Sequence, residues 1–120
     1  MNDITVQAVK SGRTAYGVVP NPDDPIILQI EGKLSRVLEI SANGFSLPGD
    51  IVSSGRRLPF HLDLPSGQNS ISGYVDALAP GDSGQVQCLF VNLSPDEVEA
   101  IHRYVLIRQK EVIRSLRATR

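Results

Sequence analysis

The chain has 120 residues, enough for one domain that buries its own core without metal or disulfide support. Its 12 basic residues nearly balance its 13 acidic ones, and a net charge of −1 gives no overall field to draw it to nucleic acid or a membrane surface. Cys88 is the only cysteine, which excludes an intrachain disulfide, and no stretch approaches the roughly 20 apolar residues of a membrane span, so a reducing, cytoplasmic setting is predicted.

Residues 1–24 read as an N-terminal arm. A weak alternation of Ile4, Val6 and Ala8 gives way to Ser11-Gly12-Arg13 and then to Pro20-Asn21-Pro22-Asp23-Asp24-Pro25. Proline lacks the amide that helices and ladders need, so this run predicts an extended segment leading into the domain.

From Pro25 the pattern is one of short strands. Ile26 to Ile30 is followed by the turn Glu31-Gly32-Lys33, which predicts a hairpin with Leu34 to Ile40. Glu39-Ile40-Ser41-Ala42-Asn43-Gly44 then forms a corner into Phe45-Ser46-Leu47, where Gly44 accepts positive φ and Ser41 and Asn43 can bond their own backbone. Pro48-Gly49-Asp50 breaks that run, and Ser53-Ser54-Gly55 is a further loop. Leu58, Phe60, Leu62 and Leu64 alternate with Pro59, His61 and Asp63, a strand with one buried face. Pro59 cannot donate to a ladder, so this strand is expected at a sheet edge or a strand start. After a turn at Pro65 to Asn69, Ile71, Gly73, Val75 and Ala77 share one side of the next strand. Pro80 to Gly84 closes a hairpin to Gln85–Val91, with Val86, Cys88 and Phe90 on one face.

The final segment is helical. Ser94 suits the N-cap, Pro95 the first helical position, and Glu97 lies three residues after the cap. Val98, Ile101, Val105, Val112 and Leu116 make one stripe, predicting a helix from 95 to about 116, roughly 30 Å long. Its distal half is expected to project beyond a small barrel. From Arg103 onward six basic residues face Glu111 alone, a net +5.

These elements predict an all-β domain with a C-terminal helix: an arm over 1–24, a small six-stranded antiparallel β-barrel over 25–93, and the helix over 94–120. Closure is the simplest way for so small a sheet to remove its edges. Nucleophilic catalysis finds little support, because neither His61 nor His102 has an acid or nucleophile at a telling spacing. The acid pairs Asp23-Asp24 and Asp96-Glu97 are poor metal ligands, and no glycine-rich loop joins a strand to a helix to cradle phosphate. The chain reads as non-catalytic, without a metal or other resident cofactor.

The order of parts, an arginine-bearing arm, a hairpin, a Glu-x-Ser-x-x-Gly corner, further antiparallel strands and a capped helix, resembles the PilZ family over roughly residues 12 to 112. The strongest passages are Val37-Leu38-Glu39-Ile40-Ser41-Ala42-Asn43-Gly44-Phe45-Ser46-Leu47 and Phe90-Val91-Asn92-Leu93-Ser94 through Ile101-His102-Arg103-Tyr104-Val105. The resemblance implies a bacterial second-messenger module that binds cyclic di-GMP. In that family an Arg-x-x-x-Arg on the arm and an Asp/Asn-x-Ser-x-x-Gly at the strand corner carry the binding. Guanidinium groups stack on guanine or fork onto its edge and onto phosphate, while acid and hydroxyl bond the ligand's polar edges.

Carried over to this chain, the motifs give Arg13, Glu39, Ser41 and Gly44 as ligand-binding residues. Glu39 stands where the family has Asp or Asn, and Gly17 stands where the second arginine belongs. An alternative follows from these departures: a PilZ-like domain that does not bind the nucleotide and works as a protein adaptor. Its partner, or a second copy, would dock on the long helix and its basic end.

Overall fold

The computed structural model describes residues 17–52, 55–65, 69–79 and 84–118. Arg13 lies outside the described residues, as do the loop positions 53–54, 66–68 and 80–83. Seven antiparallel strands follow one another: β1 (Ile27–Ile30), β2 (Lys33–Arg36), β3 (Glu39–Ser41), β4 (Gly44–Pro48), β5 (Arg57–Asp63), β6 (Ser70–Ala77) and β7 (Gln85–Val91). Among the described residues one helix, α1 (Pro95–Ala118), follows the strands.

The seventh strand comes from a break inside a run read as one strand in sequence. Leu34 to Ile40 divides at Val37-Leu38, because the two sides of that link serve different partners. Val37 N donates to Ile26 O at 3.0 Å and extends the β1–β2 ladder, whereas Leu38 N donates to Ser46 O at 2.9 Å and extends β3–β4. The sheet order is β2-β1-β5-β6-β7-β4-β3, so its two end strands are neighbours in the chain. A two-residue link cannot span a flat sheet of this width, and the sheet must curl into a half-barrel.

The β1–β2 turn is the tight two-residue kind, with Ile30 paired to Lys33 and both Glu31 (φ 52°) and Gly32 (φ 73°) in the left-handed region. Strand β5 is interior rather than an edge, flanked by β1 and β6. Its proline is tolerated because the β1 ladder stops at Ile30 opposite Phe60, one position short of Pro59.

Alternation along the strands fills the concave side. Ile26, Leu28, Ile30, Ile40, Phe45, Leu47, Leu58, Leu62, Ile71, Val75, Val86 and Cys88 are all buried. Phe45, Phe60 and Phe90 form an aromatic cluster with centroids 5.5 to 5.7 Å apart, Phe45 meeting both others edge to face. Helix α1 adds Ala100, Ile101 and Val105 to this core. Its start is a capping box, in which Glu97 N donates to Ser94 Oγ at 3.2 Å and Ser94 N donates to Glu97 Oε1 at 3.2 Å. Past the core the stripe runs into solvent: Val112, Ile113 and Leu116 are exposed, as is every side chain from Lys110 to Leu116. Among the described residues no helix is long and apolar enough to cross a membrane.

Candidate functional site

The proline-rich segment before β1 does pair, once. Val18 and Ile40 form an antiparallel bridge, with Val18 N donating to Ile40 O and Ile40 N to Val18 O, both at 2.9 Å. Val18 reaches ahead of the prolines, and its side chain is buried in the core. The arm therefore lies along β3, which would otherwise be the last strand of the sheet.

That pairing brings position 17 to Glu39. A Cβ built on Gly17 would lie 2.9 Å from Glu39 Oε2 and 3.1 Å from its Cγ and Cδ. Two motif positions separated by 22 residues in sequence, 39 − 17, thus share one patch. A side chain placed at 17 would meet the flexible end of a carboxylate.

Ser41 and Gly44 occupy the corner for reasons the fold itself supplies. Ser41 pairs with Gly44 across a two-residue turn, and Asn43 N donates to Ser41 Oγ at 3.1 Å, so the hydroxyl organises the turn. Gly44 is buried and is absent from the positive-φ positions of the chain. Its lack of a side chain answers a different need: a Cβ there would overlap the Cys88 carbonyl oxygen of β7. The expected positive φ gives way to a close approach of two backbones.

Partners across adjacent strands share a face, so the register maps the convex surface. Glu39 is opposite Ser46, and Ser46 opposite Gln87. Beside that row runs a second, Ser41, Gly44, Leu89, Asp76 and Arg57 in register order. Ser46 is 1 % exposed, and its Oγ has no hydrogen-bond partner.

The arginines considered as substitutes for the one absent at 17 are held elsewhere. Arg56 Nη1 pairs with Glu31 Oε2 at 3.0 Å, and Arg57 binds Asp76 through Nε at 2.8 Å and Nη2 at 3.1 Å. Arg57 shares the row of Ser41 but lies four strands away along the curled sheet. Arg36 Nη2 reaches Pro22 O at 3.5 Å.

Sequence reading passed over Arg108. It falls in the turn where the apolar stripe skips, yet its side chain is only 14 % exposed. Nε donates to Val19 O at 2.8 Å and Nη1 pairs with Glu111 Oε1 at 3.3 Å. In the Val18–Ile40 bridge the Val18 groups point to β3, so those of Val19 point away from it, and Arg108 holds the arm's outer edge. Nearby, a cavity of about 220 Å³ lies between arm, β5–β6 loop and helix, lined by Asn21, Asp24, Leu64, Asn69, Arg103 and Tyr104 among others.

A second missed cluster involves His61. Its Nδ1 is 2.6 Å from Ser72 Oγ and its Nε2 3.2 Å from Asp63 Oδ1, while Ser70 Oγ donates to the same Asp63 oxygen at 2.5 Å. Cross-strand register makes this contact, His61 facing Ser72 and Asp63 facing Ser70. Ser70's hydrogen bond, and then His61, hold the Asp63 carboxyl below the usual range. The group is exposed on the convex face and takes no part in lining the cavity between arm and helix, so it reads as a surface polar ladder. Among the described residues no cluster of three or more His, Cys, Asp or Glu is placed to hold a metal.

No family model matches the chain, and no curated protein matches it in sequence. Solved structures do. The PilZ domain of YcgR from Escherichia coli with c-di-GMP aligns at TM-score 0.66 and 11% identity, covering 87% of this chain and 96% of that one. The fold is that of a PilZ domain. The longer YcgR structure in complex with c-di-GMP gives TM-score 0.71 at 13% identity, covering 90% of this chain and 50% of that chain. The Bacillus subtilis inhibitor of motility MotI/DgrA gives 0.63 at 18%, covering 82% and 51%. This PilZ-like chain thus spans about half the length of those two proteins.

Proposed function

We propose that this chain is a non-catalytic PilZ-type regulatory module that binds cyclic di-GMP on the convex face where the arm meets β3 and β4. The observation that carries the reading is the Val18–Ile40 bridge, which sets position 17 of the arm against Glu39 and beside the Ser41 corner. Two of the similar structures hold c-di-GMP, which adds support from the fold. Arg13 would meet phosphate or a guanine face, Glu39 would accept from guanine N–H groups, and Ser41 would add a hydroxyl. With glycine at 17 the site lacks one forked arginine, a loss of about 1.5 to 3 kcal/mol or a factor of about 10 to 150 in affinity.

Isothermal titration with cyclic di-GMP tests the reading. Saturable heat below about 100 μM ligand, weakened by Arg13→Ala and by Glu39→Gln, supports it. Absence of heat with folded protein overturns it. Glu39→Gln is the cleaner variant at the corner, because Ser41→Ala also removes the bond to Asn43 N.

A second reading has its own observation. Leu106, Ile107, Val112 and Ile113 of α1 are 40 to 52% exposed on a helix with a basic end, a surface suited to a protein partner or a second copy. It expects an association that survives Arg13→Ala and is lost in Ile113→Asp. Unchanged size-exclusion and pull-down behaviour of that variant removes the adaptor reading.

A further inference from the structure

The geometry points to two more residues of this face, Ser46 as a positioning residue for Glu39 and Gln87 as the residue that selects the base. The inference rests on the proposed ligand site and deepens it. Register alone places Glu39, Ser46 and Gln87 in one row across β3, β4 and β7, with Glu39 opposite Ser46 and Ser46 opposite Gln87. The neighbouring row contributes almost no bulk near the arm, since Gly17 and Gly44 have no side chains and Ser41 is small.

Ser46 is the anomaly in that row. At 1 % exposure its hydroxyl has no hydrogen-bond partner in the protein, although an unsatisfied buried hydroxyl destabilises a fold. Apolar Phe45 and Leu47 on either side point into the core, so packing alone would be as well served by alanine at 46. Glu39 is its cross-strand partner on β3, with a carboxylate that lies against position 17. When a ligand draws that carboxylate over the row, Ser46 Oγ–H can donate to one oxygen and fix the other toward the ligand. The extra methylene of Glu, which would misplace an acid held as aspartate is, supplies the reach for this turn.

Gln87 completes the chemistry. Its side chain is half-buried, and its amide both donates and accepts. Guanine presents adjacent N–H donors and an O6 acceptor, which suit a carboxylate beside an amide NH₂; adenine offers an acceptor at N1, which a carboxylate repels. Strands two apart are separated by about 10 Å, a gap that the two side chains close from either side. The row therefore takes a guanine edge and rejects adenine.

The test compares wild type, Ser46→Ala and Gln87→Ala by thermal melting and by titration with cyclic di-GMP and cyclic di-AMP. Ser46→Ala is expected to melt higher than wild type yet to bind cyclic di-GMP about five- to tenfold more weakly. Gln87→Ala is expected to lose a similar factor for cyclic di-GMP alone, narrowing the preference over cyclic di-AMP. If both variants stay within about twofold of wild type for both ligands while Glu39→Gln weakens binding, the row is not part of the site and the inference is wrong. If wild type binds neither dinucleotide, the proposed function itself fails and this inference falls with it.

Discussion

The guanidinium of Arg108 donates from Nε to the carbonyl oxygen of Val19 at 2.8 Å, joining positions 89 residues apart in sequence. The arm is thereby held from both edges, by Ile40 on one side and by the helix on the other. Helix and arm are linked through a charge-assisted bond on a mostly buried side chain, the kind worth more than a surface contact. Arg108→Gln is expected to cost about 1 to 2 kcal/mol and to speed hydrogen exchange at the Val18 and Ile40 amides ahead of the rest of the sheet. Exchange that rises uniformly, or not at all, would show that the arm is held without the helix.

Gly17→Arg restores the side chain that the family pattern places there. The three atoms nearest a would-be Cβ, Cγ, Cδ and Oε2 of Glu39, all belong to one flexible side chain, so the fold should accept the change with little loss. Affinity for cyclic di-GMP is expected to rise about tenfold or more, since a forked arginine is regained beside an acid that can orient it. Unchanged affinity in a folded variant would mean that position 17 does not face the ligand.

Gly44→Ala should behave in the opposite way. Here the obstruction is the Cys88 carbonyl of a paired strand, with no flexible end to move aside. A loss of about 3 kcal/mol or more is expected, and a melting temperature lower by at least about 12 °C. A variant that melts like wild type would contradict the close approach of β4 and β7.

Cys88 is buried, and desolvation pushes its thiol up to about 11 from 9.0. The native chain is therefore expected to resist thiol-reactive reagents at pH 8 and to react on unfolding. The sign of the pH effect follows from the raised value. The contribution is fully present below pH 9, where both states keep the proton, and is lost between pH 9 and about 11 as only the unfolded thiol ionises. Denaturation midpoints across that range check it, and native labelling at pH 8 would contradict the burial.

The sequence made the strands and the helix legible because alternation, turn residues and a capping box each act over a few positions. Ser94, Pro95 and Glu97 alone mark the start of α1. The division at Val37-Leu38 was not legible, since the apolar run continues through a link whose two amides serve opposite ends of the sheet. Pro59 misled for a related reason: its tolerance depends on where β1 stops. At the site, Glu39, Ser41 and Gly44 were visible as a corner. The meeting of Gly17 with Glu39, the grip of Arg108 on Val19 and the His61–Ser72 contact are long-range and leave no local pattern. Gly44 was read as a turn glycine, whereas its need for no side chain lies in β7 rather than in its own φ.

The central claim is that a cyclic dinucleotide seats where the arm crosses β3. A titration of isotope-labelled wild-type chain with cyclic di-GMP, followed through its backbone amide resonances, tests this most directly. The expected result is saturable shifts concentrated at Gly17, Val18, Glu39 to Gly44, Ser46 and Gln87, with the far strands β1 and β5 unmoved. Shifts confined to α1, or none from a folded chain at about 100 μM ligand, would contradict it.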